Sequence, residues 1–250
     1  MFQPPGFDRA LAIEAANLVI QAYAQFKQFT QHQPWKLQGA YDNLGEFEAK
    51  PEGLIAHLEP FGFVARSQAS GNVFVTFRGT ETLGDWLSDF GFPQVPYPWG
   101  HVERGFFRLY DQCAAAVKAA VQKAPGARVI VTGHSLGAGM AVLAAADLAG
   151  LGAQMYSFAG PRVGDLEFAK KFNQSVPVAW RVVNTEDIVT TVPLATVQLM
   201  SQDFAGLKLA LLLKTLANLN YQHVGQAVCF TTHTGSIEGN HSMVEYLAAL

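Results

Sequence analysis

The chain has 250 residues, half of them hydrophobic and only 15% charged, with a formal net charge of −3. This is a globular composition on the apolar side, long enough to bury most of its apolar surface as one domain over 1–250, and it excludes a disordered chain. A slightly acidic balance without any basic run leaves no electrostatic footprint for nucleic acid.

Met1 to Ala10 carries Pro-Pro-Gly where a signal peptide would have a basic start and an apolar run. That predicts a cytoplasmic protein. No stretch approaches the length of a membrane span. Asp8 to Phe29 reads as a helix: an Asp opens it, and Leu11, Leu18, Val19, Ala22 and Phe26 recur near helical spacing. Residues 30–60 are mixed and turn-rich. Phe61 to Arg66 and Asn72 to Phe77 are β-rich runs separated by a short turn, the pattern of a hairpin.

Beyond position 100 helices and strands alternate. Gly105 to Lys123 is helical, Arg128 to Thr132 a short apolar strand, and Ala138 to Ala149 a helix of small residues. Met155 to Phe158 is a strand, Asp165 to Phe172 a helix, and Ala179 to Val183 another strand. Apolar strands bounded by helices predict an α/β fold, a mostly parallel central sheet with helices on both faces. Loops at the carboxyl ends of those strands are then the expected place for function. Cys113 and Cys229 have neither metal-type nor redox-type spacing, and their small or apolar neighbours predict two buried free thiols.

Gly133-His134-Ser135-Leu136-Gly137 matches the G-x-S-x-G nucleophile elbow. A buried strand leads into it and a small-residue helix leaves it, the context this chemistry needs. A residue at the tip of so sharp a turn is forced into a strained conformation, and glycines two positions either side leave it room. The following helix aims its unpaired N–H groups and positive dipole end at the serine. The bland reading is a glycine-rich turn with an incidental serine.

A serine hydroxyl needs a base, and the base an orienting acid. In α/β-hydrolases the chain order is Ser, acid, His. Asp187 follows the strand that ends at Val183, with Glu186 as the runner-up acid. Of the histidines beyond it, His241 and His233 both remain candidates for the base on residue pattern alone.

The chain also resembles the class 3, fungal-type triacylglycerol lipases, α/β-hydrolases that include plant phospholipases A1, galactolipases and feruloyl esterases. The segments that carry the resemblance are Val73 to Thr80, Asp85 to Asp89, Arg104 to Tyr110, Val129 to Ala141, Phe158 to Asp165, Arg181 to Val189 with Pro193, and Gly239 to Tyr246. In this order they are very specific, and they cover most of the chain from about residue 60 onward. The resemblance implies that the acid is Asp187 and the base His241. It also implies an oxyanion hole from the N–H groups of Leu136 and Thr80; the structural alternative for Arg78 to Thr80 is a strand-end turn. A lid over the site is implied for residues 81–92, with Leu83, Trp86, Leu87 and Phe90 on its apolar side; the alternative there is an ordinary core helix.

Two departures stand out. Glu103 occupies a position near the Gly-Phe motif where the family often has His, which affects the local turn. The second is an apolar insertion over 194–220, in which Leu209, Leu212, Leu213 and Leu216 form one helical stripe while Lys208 and Lys214 oppose burial of every face. It reads as a cap over the acyl site, an interfacial anchor or a plain core helix.

These residues predict a serine esterase or lipase that hydrolyses glycerolipid acyl esters through an acyl-enzyme. Its expected partners are a lipid or small ester substrate and, peripherally, a lipid surface. Neither metal nor organic cofactor is called for. The alternatives are a phospholipase A1 or galactolipase of the same family and, from a different class, a non-catalytic lipid-binding module.

Overall fold

The computed structural model describes residues 3–51, 57–80, 93–193 and 220–250. Helix α1 spans Arg9–Thr30, and the Asp8 carboxylate caps it by accepting the Leu11 N–H at 3.0 Å. Its buried side is made of small residues, Ala12, Ala15, Ala16 and Ala22, with Leu11, Leu18 and Val19. Those small side chains let the helix lie close against the sheet.

Strands β1 (Tyr41–Ala49), β2 (Glu59–Ser67) and β3 (Val73–Phe77) form an antiparallel meander, the last two pairing from Gly62 with Phe77 to Arg66 with Val73. The turn-rich region before residue 60 thus contains an edge strand. β1 alternates poorly, with exposed Asp42, Asn43, Glu46 and Glu48, so its sequence carries little strand signal. From β3 the sheet turns parallel: β6 (Val129–His134), β7 (Gln154–Phe158), β8 (Ala179–Asn184) and β9 (Gln226–Phe230) follow side by side in that order. A separate ribbon pairs β4 (Gln94–Tyr97) with β5 (Gly100–Glu103). The Glu103 carboxylate then caps α2 (Arg104–Val121) by accepting the Phe106 N–H at 2.8 Å, a capping role in place of the expected histidine.

Every residue of β3 and β6 is buried, as two-sided covering requires. Val73, Val75, Phe77, Val129 and Val131 face one way, against α2 and α3 (Leu136–Asp147). Phe74, Ile130, Tyr156 and Val182 face the other, against α1 and the C-terminal α6 (Met243–Ala249). Each such apolar side chain contributes about 1.5–3 kcal/mol on burial. The remaining helices are α4 (Leu166–Ser175) and the short α5 (Ile237–Asn240). Among the described residues, no helix is long and apolar enough to cross a membrane.

The thiols differ from expectation in one respect. Cys113 is buried on the inner side of α2, but Cys229 is exposed on the edge strand β9, where alternate side chains face outward. The sequence neighbours of Cys229 are apolar; the position at the sheet edge decided its exposure.

Candidate active site

The register aligns the carboxyl ends of the parallel strands: Phe77 pairs with Gly133, His134 with Phe158, and Asn184 with Phe230. The segments that follow therefore open on one edge of the sheet. Ser135 leaves β6 at φ 57 and ψ −125, outside the regions an L-residue prefers, at a cost of about 1–3 kcal/mol. The surrounding packing enforces it. A Cβ on Gly133 would stand 2.2 Å from the Gly137 carbonyl oxygen, and one on Gly137 would stand 2.2 Å from that of Arg78. Only glycine lets the strand, the helix and the β3 end approach this closely.

Asp187 lies just past β8 and His241 between α5 and α6, and they meet 54 residues apart in sequence. His241 Nδ1 is 2.8 Å from Asp187 Oδ2, with both side chains buried. A carboxylate can only accept, so Nδ1 carries the hydrogen and Nε2 holds the ring's lone pair. Among the described residues, His241 Nε2 and Ser135 Oγ are both buried without a hydrogen-bond partner. The base-type nitrogen and the hydroxyl are thus both uncommitted.

Asp187 is held by more than the imidazole. Its Oδ1 accepts the Val189 N–H at 3.0 Å, and Oδ2 also accepts the Tyr246 hydroxyl at 2.7 Å. Burial first, and then the Asp187 charge, push the Tyr246 phenol well above its usual pKa, which keeps it a donor. The Tyr246 oxygen in turn accepts the Asn184 N–H at 3.0 Å. Buried Asn184 donates to the carbonyls of Thr232 and Asn240 and accepts the Thr232 N–H, joining the β8 end to the loop that delivers His241. Behind Asp187, Arg162 donates to the carbonyls of Thr191 and Pro193, and His223 Nε2 lies 2.8 Å from the Thr190 carbonyl. Arg162, Asn184 and Tyr246 lie in segments that carry the family resemblance, but neither they nor His223 had a role legible in the sequence, because each acts through a main-chain or side-chain partner brought near only by folding.

The alternatives left open on residue pattern, His233 and Glu186, face each other at 3.5 Å on the surface, with side chains 71% and 44% exposed. Leu136 opens α3, so its N–H belongs to the first turn, whose donors a helix cannot satisfy internally. Thr80 is half-buried and follows Gly79, on which a Cβ would meet Ser135 Cβ at 2.9 Å. Its strand end is clamped by Arg78, whose guanidinium is sandwiched between the Phe26 and Phe61 rings, 3.7 and 4.3 Å from their centroids. The same group pairs with Glu59 and donates to the carbonyls of Pro60 and Gly79. Leu83, Trp86, Leu87 and Phe90, and the insertion up to residue 219, lie outside the described residues. No group of three or more metal-ligating side chains gathers among the described residues.

A mostly parallel sheet whose central strand turns sharply into a helix at a serine defines the α/β-hydrolase fold. The family model for class 3 lipases matches residues 74–197. The secreted mono- and diacylglycerol lipase 1 of Fusarium solani is 34% identical over 140 residues, covering 52% of this chain and 42% of that protein. A chloroplastic phospholipase A1 of Arabidopsis thaliana, Ialpha2, is 32% identical over 158 residues, 49% of this chain and 33% of that one. The crystal structure of the lipase from Rhizopus microsporus var. chinensis superposes with a TM-score of 0.60 at 28% identity, covering 75% of this chain and 70% of the other. This chain belongs to the class 3 lipase family. It spans less than half the length of the Fusarium and Arabidopsis relatives. Their names also overturn the expectation of a cytoplasmic protein, since one is secreted and the other chloroplastic. That expectation rested on the composition of ten residues, which says nothing about how relatives are targeted.

Proposed function

We propose that this chain is a serine carboxyl-ester hydrolase that cleaves acyl esters of glycerolipids. The observation that carries the reading is the buried contact of His241 Nδ1 with Asp187 Oδ2 at 2.8 Å: an Nδ1–H donated to that carboxylate leaves Nε2 as the one nitrogen able to take a proton. Ser135 Oγ attacks the ester carbonyl carbon as His241 Nε2 accepts its proton. The negative charge that builds on the carbonyl oxygen is met by the N–H groups of Leu136 and Thr80, each such donor stabilising the transition state by about 3 kcal/mol. Collapse expels the alcohol, which takes the proton from His241, and leaves an acyl-serine. Water, deprotonated by the same nitrogen, then releases the fatty acid. Asp187 keeps the ring in its tautomer and stabilises the imidazolium.

The membership of the family and the names of its glycerolipid-cleaving relatives support the substrate class. A phospholipase A1 reading of the same site is favoured by the Arabidopsis relative. Hydrolysis of triolein, phosphatidylcholine, a galactolipid and a short nitrophenyl ester side by side separates these substrates. The test of the chemistry is covalent. A fluorophosphonate probe is expected to label the native protein and not Ser135→Ala, and that variant is expected to lose at least about a thousandfold in ester turnover while remaining folded. An unlabelled native protein that still binds lipid would instead identify a non-catalytic module.

A further inference from the structure

His134 stands one residue before the serine and has no part in the reaction as written. Its imidazole is buried, and both ring nitrogens are engaged. Nδ1 lies 2.7 Å from the Tyr23 hydroxyl, and Nε2 lies 2.8 Å from the main-chain carbonyl of His241. A carbonyl only accepts, so Nε2 bears the hydrogen. Burial, and then the neighbouring His241, hold His134 well below the usual histidine pKa, so the ring is neutral and Nδ1 is a lone pair. Tyr23 is therefore the donor. The chain of hydrogen bonds runs one way, from Tyr23 on α1 through His134 on β6 to the backbone of His241.

The neighbours hold this ring in place. The rings of Tyr23, Tyr246 and His241 surround it at centroid distances of 5.8, 5.9 and 4.6 Å. The Tyr23 hydroxyl also rests on the end of β3: a Cβ at Gly79 would stand 2.4 Å from it. One side chain of α1 thus touches the strand end that leads to Thr80 and the turn that carries Ser135. Through His134 it also reaches the main chain that carries the base.

The hydrogen bond to Asp187 decides which way the His241 ring faces, not where its backbone stands relative to Ser135. The helices flanking His241 are only four and seven residues long, too short to position it alone. We infer that Tyr23 and His134 are positioning residues, whose hydrogen bonds to each other and to the His241 carbonyl set the place of the base against the nucleophile. The inference rests on the triad proposed above. Misplacement by about 1 Å can cost about a hundredfold in rate, which sets the scale of the expected effects.

The test uses steady-state hydrolysis of a soluble short-chain nitrophenyl ester, with thermal unfolding of each variant alongside. Tyr23→Phe should lower kcat about tenfold with KM changed less than about twofold. His134→Leu should lower kcat about a hundredfold, and His134→Gln, whose amide can still donate to the His241 carbonyl, should recover about tenfold of that. With the Nδ1 acceptor gone, adding Tyr23→Phe to His134→Gln should cost less than about twofold more. Wild-type kcat in Tyr23→Phe and His134→Gln, or losses confined to KM or melting temperature, would overturn the inference. If those variants are unimpaired while Ser135→Ala is inactive, the positioning role alone fails. If Ser135→Ala keeps its turnover, the triad fails and the positioning role with it.

Discussion

At the scale of single residues, the site is governed by which groups can only accept and which can only donate. Asp187 accepts from three donors on three different segments, Val189, His241 and Tyr246. Asp187→Asn keeps the shape but presents an amide to a ring nitrogen that must itself donate. The ring then loses its tautomer, and kcat is expected to fall at least about a thousandfold while the melting temperature changes little. Tyr246→Phe is a milder change. It leaves the Asn184 N–H without its acceptor and removes one donor from Asp187, so a destabilisation of about 1–3 kcal/mol in urea titration is expected, with a smaller loss of kcat than Asp187→Asn. If Tyr246→Phe were as inactive as Asp187→Asn, the phenol would be part of the reaction and not only a support.

At the scale of elements, the close approach of β3 to α3 constrains the turn that carries Ser135. Gly137 packs on the Arg78 main chain, which cannot yield because the Arg78 guanidinium is held on both faces by Phe26 and Phe61 and at its edge by Glu59. Gly137→Ala is therefore expected to cost about 1–3 kcal/mol or more through overpacking, read as a lowered denaturation midpoint. Arg78→Met leaves the half-buried Glu59 carboxylate without this partner and is expected to cost about 1–3 kcal/mol. A neutral result for Arg78→Met in the same titration would show that the aromatic sandwich alone sets the strand end. The glycine pattern was legible in the sequence, since a turn this sharp needs small residues either side of the serine. The clamp was not, because Phe26, Glu59 and Arg78 come from three separate elements.

At the scale of the molecule, two neutral histidines, His134 buried and His223 half-buried, make stability depend on pH. Burial and the nearby guanidiniums of Arg181 and Arg162 bring His223 down to about 3, and His134 is also lowered, by burial and His241. Below the ordinary histidine pKa of about 6.5, the unfolded chain takes up protons that the fold does not. This contribution to stability is full above about pH 6.5 and is lost progressively as the pH falls from there toward about 3. His223→Gln keeps a donor for the Thr190 carbonyl and never titrates, so its melting temperature should fall less steeply than wild type over that range. Parallel curves would remove His223 as a source of acid sensitivity.

What the sequence determined by itself was whatever depends on local pattern: the alternation of apolar strands and helices, the apolar spacing of α1, and the elbow whose glycines must flank Ser135. Those features follow from steric limits and periodicity within a few neighbouring residues. The polar edge strand β1 and the exposure of Cys229 escaped it, because sheet edges are set by which strands pair. Residue pattern alone also left His241 and His233 both open. Tertiary structure set one against Asp187 in the interior and the other against Glu186 at the surface. The physical reason is that hydrogen bonds between groups 54 and 107 residues apart exist only once the sheet has brought its strand ends to one edge.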